Sequence, residues 1–301
     1  DNQFHNVDNS KCQTSACNKL QYVGKMITSK NKRPQQPIQT ESLKDKSLQN
    51  GEFVWLGHNF IIIKENNLVI AVDPLLGDFK AFGINFKKIK YTNEYQAQDF
   101  PKIDVCLITH DHSDHLDLAT LSQLSIHQFV CPKNVGKQLR QFSQSVTELD
   151  WFENCNINGN NIVLIPAKHT SSFDGKWNTL WGGFIINSTL ISGDTAWSLP
   201  MIQQIKQFLQ ERNIQLQKCF IECGGYATET PEVHLSNDEV VQYFNFLNGQ
   251  LLIPVHFGMH AIGYHKWNDV LQIQGPQTLI AKIGKVYGQD AQAGVDDAWV
   301  E

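Results

Sequence analysis

Thr109-His110-Asp111-His112-Ser113-Asp114-His115 decides how this chain is read. Three histidines and two aspartates crowd into residues 110–115, directly after the apolar run 103–109 (IDVCLIT). Neutral imidazole and carboxylate are the donors that a divalent transition metal takes, zinc, iron and manganese among them. His110 and His112 are two residues apart, so an extended or turning backbone points both to one side. Asp114 and His115 then fall on the loop into the next helix. The spacing predicts one ion at His110 and His112, and a second facing Asp114 and His115.

Outward from this cluster the chain alternates strands and helices. Residues 52–57, 60–64 and 68–72 are short runs dense in β-branched and aromatic side chains, and Asn66-Asn67 marks a hairpin between the last two. Leu116 to Leu124 has helical spacing, with Asp117 at its start. Further strands are predicted at 128–131, 161–165, 181–187, 189–193, 218–222 and 251–255. Helices are predicted over Leu199–Glu211 and from Ser236, where Glu239 completes a capping box, to Leu247. Such a pattern predicts an α/β fold, two sheets held between helices, in one domain over residues 51–301. Residues 1–50 are rich in Gln, Asn, Lys and Ser, with Pro34 and Pro37, and read as an arm wrapped on the body.

Three more ligand candidates sit at predicted strand ends. His169 follows 161–165 and Pro166, Asp194 follows Ile191-Ser192-Gly193, and His256 closes 251–255. With the cluster they make a full donor set leaving one edge of the sheets, a common way to build a site on a rigid scaffold.

Composition narrows the classes. The 301 residues are 41% hydrophobic and 18% charged, enough for a large core and against extensive disorder. The net charge is −5. Residues 1–50 hold eight Lys/Arg and four Asp/Glu, so the arm is +4 and the body −9. A negative body disfavours nucleic acid as a partner. The basic arm is either solvated or laid on anionic lipid. No apolar run approaches the ~20 residues that span a bilayer. Cys106, Cys131 and Cys219 lie in apolar runs and read as buried hydrophobes, whereas Cys12 and Cys17 are the candidate disulfide. Residue 1 is Asp rather than Met, which fits a leader removed upstream. With the Cys12/Cys17 pair it leans toward a cell-envelope or periplasmic setting.

The cluster resembles the His-x-His-x-Asp-His signature of the metallo-β-lactamase-fold hydrolases. Trp55-Leu56-Gly57-His58, Asp73-Pro74, Leu149-Asp150-Trp151, Pro166-Ala167-Lys168-His169, Leu180-Trp181-Gly182, Ser192-Gly193-Asp194-Thr195 and Val255-His256-Phe257-Gly258 are similar to landmarks of one branch. That branch contains N-acylphosphatidylethanolamine-hydrolysing phospholipase D and its bacterial relatives. The resemblance implies a four-layer αββα sandwich with two divalent ions, usually zinc. It implies that His110, His112 and His169 bind one metal, that Asp114, His115 and His256 bind the other, and that Asp194 bridges. Asp73 would orient a ligand imidazole from behind.

Two metals about 3.5–4 Å apart can share a hydroxide and clamp phosphoryl or acyl oxygens. The expected reaction is therefore attack on a phosphodiester, with Asp114 also holding the nucleophile in line. The chain departs from the branch after 218–221. Where the branch reads Pro-Ile-Gly-Ala-Tyr-Glu-Pro, this chain has Glu222-Cys223-Gly224-Gly225-Tyr226-Ala227-Thr228, and Gly-Asp-Thr-Gly-Tyr has become Gly193-Asp194-Thr195-Ala196-Trp197. These changes spare the ligands and bear on the substrate. His234 and His265 are candidates for catalytic contact with substrate, and His58 flanks the site. Phe173, Trp177, Trp181, Trp197 and Phe257 are candidates for an acyl-chain cleft. The alternatives are a lactone or ester hydrolase on the same site, and a non-catalytic metal-binding module at a membrane. Lipid-active relatives suggest peripheral membrane contact and a homodimer.

Overall fold

β-branched and aromatic side chains pack well on a pleated surface, and they place the first strands. β1 (Phe53–Trp55), β2 (Ile61–Glu65) and β3 (Leu68–Val72) form an antiparallel meander. Asn66 and Asn67, both at positive φ, supply the two-residue turn between β2 and β3. The computed structural model describes residues 3–10, 21–22, 24–26, 28–81, 83–171, 177–228, 232–273, 275 and 277–299. Cys12, Cys17 and Phe173 lie outside the described residues, and with them the candidate disulfide.

The chain continues through β4 (Phe79–Ala81), β5 (Ile84–Phe86), β6 (Ile103–Leu107), helix α1 (Leu118–Leu121), β7 (Ile126–Pro132), α2 (Gly136–Leu139) and β8 (Val146–Leu149). Then come β9 (Asn154–Ile157), β10 (Asn160–Ile165), β11 (Gly183–Ile186), β12 (Thr189–Ile191), α3 (Leu199–Glu211) and β13 (Lys218–Glu222). The last are α4 (Asn237–Phe246), β14 (Leu251–Val255), β15 (Leu279–Ile280), β16 (Val286–Tyr287) and β17 (Gly294–Val295).

Two sheets carry the fold. One runs β16-β1-β2-β3-β6-β7-β8 and the other β14-β13-β12-β11-β10-β9. Each joins an antiparallel half to a parallel half: β3, β6, β7 and β8 are parallel in the first, and β12, β13 and β14 in the second. The rings of Phe53 on β1 and Phe220 on β13 meet edge-on at 5.0 Å, so the sheets face each other across one core. Helix α2 covers β7 and β8, and α4 covers β13 and packs against α3. This is the four-layer αββα arrangement in a single α/β domain. Ser236 caps α4, and its side chain and that of Glu239 form the expected box. Helix α1 is one turn long, shorter than its spacing predicts: Asp117 caps it, and the chain leaves the helix at Ser122 before β7.

The polar arm carries its own anchors. Met26, Ile38, Leu43 and Leu48 are buried in the common core, and Ile38 pairs by backbone with Tyr91. Among the described residues no helix is long and apolar enough to cross a membrane.

Candidate metal centre

Parallel strands put their carboxyl ends on one edge, and the site is built there. Asp73 follows β3, Thr109–His115 follow β6, His169 follows β10, Asp194 follows β12, Glu222 ends β13 and His256 follows β14. His58 lies in the turn from β1 to β2. The two sheets are stitched together along this edge by backbone. Gly182 N–H donates to Thr109 O at 3.1 Å, His58 N–H to Phe257 O at 2.8 Å, and His256 N–H to His58 O at 2.7 Å. Gly193 packs close against backbone here. Its φ is +60°, and a Cβ there would fall 2.5 Å from Gly182 O.

The first donor group is His110, His112, His169 and Asp194, all buried. His110 Nδ1 donates to Thr109 Oγ1 at 3.0 Å, and His169 Nδ1 to Val233 O at 3.1 Å, so both rings turn Nε2 inward. His169 Nε2 stands 3.2 Å from His112 Nδ1. Two nitrogens at about 2.1 Å from one tetrahedral ion lie roughly 3.4 Å apart, which is close to this spacing.

The second group is His58, Asp114, His115 and His256. His115 Nδ1 donates to Asp73 Oδ2 at 2.8 Å, and His256 Nδ1 donates to Gly224 O at 3.1 Å. Here too the backs of the rings are held and Nε2 faces in. Asp73 is held in turn by Asn59 Nδ2 at 2.6 Å and by Thr109 N–H at 2.8 Å. Asp73, expected to orient an imidazole from behind, receives that of His115. His58 is more than a flank: it is fully buried, and its Nε2 lies 3.2 Å from Asp114 Oδ2. Trp55 Nε1 donates to His58 O at 2.8 Å, which explains the Trp-Leu-Gly-His run as a turn held from inside the core. His58, Asp73 and His256 all adopt left-handed φ, of 52°, 41° and 71°. Non-glycine residues pay for that conformation with strain, and it gathers at functional sites.

Asp194 joins the groups. Its Oδ2 is 3.9 Å from His110 Nε2, 3.7 Å from His169 Nε2 and 3.2 Å from His115 Nε2, while Oδ1 is 3.1 Å from His256 Nε2. Among the described residues, buried atoms with no hydrogen-bond partner include Nε2 of His58, His110, His115 and His256, and Oδ1 of Asp194. Buried polar atoms are normally satisfied, and inward-facing lone pairs gathered in this way suit a divalent cation. The donors are nitrogen and oxygen, as zinc, iron or manganese prefers. These residues fit divalent metal ions.

Electrostatics points the same way. Burial keeps His58, His110 and His169 well below the ordinary histidine range, hence neutral. Burial alone would raise the Asp114 carboxyl, but His115 and His58 outweigh it and hold the group well below the usual carboxylate range. Asp194 is likewise ionised, burial being outweighed by His115 and His256. Burial would lower His115, yet Asp194 and Asp114 push it well above its ordinary value. The two ionised carboxylates thus draw positive charge into the pocket, here onto His115 and, where a metal ion is bound, onto the ion.

The remaining candidates fall in different places. His234 sits at the rim, its ring 5.1 Å from His256 and 5.6 Å from His169. Burial opposes its charge, but Glu222 overcomes this and raises its pKa to about 9. His265 has both ring nitrogens occupied: Nε2 accepts from Gly225 N–H at 3.0 Å, and Nδ1 donates to Lys266 O at 3.1 Å. Its ring stacks on Tyr226 at 4.8 Å, so it braces the loop after Glu222 rather than facing the donors. The aromatic cleft is corrected in part. Trp177, Trp181 and Phe257 are buried in hydrophobic clusters, with Trp181 Nε1 bonded to Ala167 O, because large rings are worth most when fully covered. Trp197 is half-buried and packs against the core. Asn59 and Glu222, both fully buried beside the donors, were not singled out by the sequence. The break from the branch pattern at Glu222 was the only signal for either.

Residues 69–257, more than half of the chain, match the family model of the beta-lactamase superfamily domain. The chain belongs to the beta-lactamase superfamily. Two curated relatives and one solved structure are similar to this superfamily member. An uncharacterised protein of Mycobacterium tuberculosis is 24% identical over 72% of this chain and 61% of its own length. The mitochondrial N-acyl-phosphatidylethanolamine-hydrolyzing phospholipase D of Saccharomyces cerevisiae is 28% identical over 69% of this chain and 47% of its own. The chain thus spans about half to three-fifths of the length of these relatives. Igni18, a metallo hydrolase from the archaeon Ignicoccus hospitalis, aligns with a TM-score of 0.58 at 17% identity, over 78% of this chain and 97% of that one. At that identity it speaks for the fold of this beta-lactamase superfamily member alone.

Proposed function

We propose that this protein is a metal-dependent hydrolase that cleaves phosphodiesters in the phospholipase D manner, with N-acylphosphatidylethanolamine-like lipids as substrate. The observation that carries the reading is the pair of buried donor groups meeting at Asp194. His110, His112 and His169 would hold one divalent ion, His58, Asp114, His115 and His256 would surround the other, and zinc suits this nitrogen and oxygen set. When bound, such a pair supplies positive charge to phosphoryl oxygens and brings the pKa of water to ~7.

The chain's own residues supply the rest. Asp114, held ionised between His58 and His115, would fix the direction of attack. Asp73 keeps the His115 ring from turning. His234 at the rim would give a proton to the leaving oxygen, a step that needs a donor held within hydrogen-bond reach. The phospholipase part is supported by the likeness to the yeast protein and by the Trp55–His58 turn. A lipid substrate brings the protein to a membrane or micelle surface.

The test is product analysis by mass spectrometry. Zinc-loaded protein and its Asp114→Asn variant are incubated with N-acylphosphatidylethanolamine in mixed micelles. Phosphatidic acid and N-acylethanolamine are expected from the parent protein only. No such products from protein holding about two metals per chain would overturn the phospholipase reading and favour a lactone or ester hydrolase on the same donors.

A further inference from the structure

Glu222 is fully buried, yet it lies outside the donor groups, a third of which joins His234 to Asp194 and His256, with His234 Nδ1 4.0 Å from Asp194 Oδ2. It ends β13 in the segment where the chain departs from the branch pattern. Its Oε1 collects three N–H groups: Leu235 N at 3.0 Å, Thr195 N at 3.3 Å and His234 Nδ1 at 3.3 Å. Its Oε2 is buried without a partner. Leu235 follows His234 in the chain, so one carboxylate oxygen holds both the backbone and the ring of this segment. Thr195 follows Asp194, so the same oxygen also ties the segment to the residue shared by the two donor groups.

A fully buried carboxylate is costly, and it is kept where its bonds orient something. Here the oriented group is an imidazole. With Nδ1 on Glu222, the ring of His234 turns Nε2 toward Gly225, where a Cβ would come within 3.1 Å of it. The absence of a side chain at Gly225 keeps that approach open. A carboxylate on one nitrogen and a reacting group on the other is the arrangement by which a triad aspartate sets its histidine.

We infer that Glu222 is a positioning residue, which holds the His234 ring so that Nε2 meets the leaving oxygen of the substrate. This rests on the hydrolase reading above and deepens it. In the step itself, water forms the new P–O bond and the P–O bond to the alcohol breaks. The leaving oxygen takes the proton from His234 Nε2, and the proton released by water restores His234.

The test uses the metal-loaded full chain, with Glu222→Leu removing the acceptor and Glu222→Gln keeping it without charge. Metal content and melting temperature are measured for each. Two phosphodiesters are compared, one with a p-nitrophenol leaving group and one with an alkyl alcohol. A good leaving group needs no proton, whereas a poor one does. Glu222→Leu is expected to lose about 100-fold on the alkyl diester and less than about 5-fold on the aryl one, the size of one general acid, with Glu222→Gln between it and the parent protein. Equal losses on both diesters, or none, would overturn the assignment.

A second readout is independent of turnover. Long-range nitrogen–proton NMR of the ring should show a slowly exchanging His234 Nδ1–H in the parent protein that is lost in Glu222→Leu and shifted in Glu222→Gln. An Nδ1–H that does not respond to either variant would overturn it as well. If Glu222→Leu does not fold, an Nδ1–H unchanged in Glu222→Gln overturns it alone. Inactivity of the parent protein on both diesters, with His234 responding as expected, would instead count against the phosphodiester reading and leave Glu222 in place.

Discussion

The side-chain oxygen of Asn6 accepts the backbone N–H of His169 at 3.0 Å. Asn6 is buried and 163 residues away in sequence, so the polar arm reaches into the wall of the first donor group. Asp8 follows it there, accepting from Ser198 Oγ at 2.9 Å. Asn6→Ala would leave the His169 N–H buried without its acceptor, a loss of about 1–3 kcal/mol. Partners of this kind behind a ligand are worth about 10- to 100-fold in metal affinity. Asn6→Ala, and deletion of residues 1–10, should therefore weaken divalent-metal binding, with zinc as the probe, by about tenfold or more in a chelator competition. Unchanged affinity would show that the arm only covers the surface.

Asp73 is the next support to remove. Asp73→Asn replaces a carboxylate that receives His115 Nδ1, Asn59 Nδ2 and Thr109. Metal affinity should fall about 10- to 100-fold while the fold persists. Cobalt absorption spectra, which follow ligand geometry, would register it. An unaltered cobalt spectrum and affinity would mean that His115 needs no partner behind it.

The three tryptophans near the site should separate into two kinds. Trp181 and Trp177 are buried, so Trp→Ala at either should cost about 3–5 kcal/mol of stability and leave chain-length preference alone. Trp197 is half-buried, and Trp197→Ala should cost less stability but reduce any preference for long acyl chains. Denaturant melts and activity on short and long substrates check both halves. A Trp181→Ala protein of full stability would contradict the packing described here.

His260 gives a pH prediction away from the donors themselves. Burial lowers its pKa from 6.5 to about 4, and its Nε2 donates to Gly77 O at 3.0 Å. Between these values the unfolded chain takes up a proton here that the folded chain does not. Stability from this group is therefore full above about pH 6.5 and is lost as pH falls toward about 4. Denaturant midpoints should drop over this window in the parent protein, and less steeply in His260→Gln. Parallel pH curves for the two would rule out the assignment.

How much of this was legible in the sequence depends on which contacts set each feature. The core strands announced themselves, because β3 and β11 are buried nearly throughout and so must be apolar. The edge strands β8 and β9 did not. β8 (VTEL) and β9 (NCNI) are half-exposed and held by backbone pairing to β7 and β10, which leaves no side-chain signature. The Thr109–His115 cluster was legible because its donors are neighbours in the chain. His58 was read as a flank because its place among the donors follows from a left-handed turn and from pairing with Phe257, 199 residues on. Asn6, Asn59 and Glu222 are ordinary polar residues whose meaning comes from long-range partners.

The edge where the two sheets are stitched has one more consequence. His58 comes from one sheet and His256 from the other, and each lies in the second donor group. Any motion that separates the sheets at that edge must break the donor set. Bound ions would then act on the unfolding barrier, so chelation should shorten the lifetime of the folded protein as well as stop its chemistry. Resistance to proteolysis would then become a readout of metal supply.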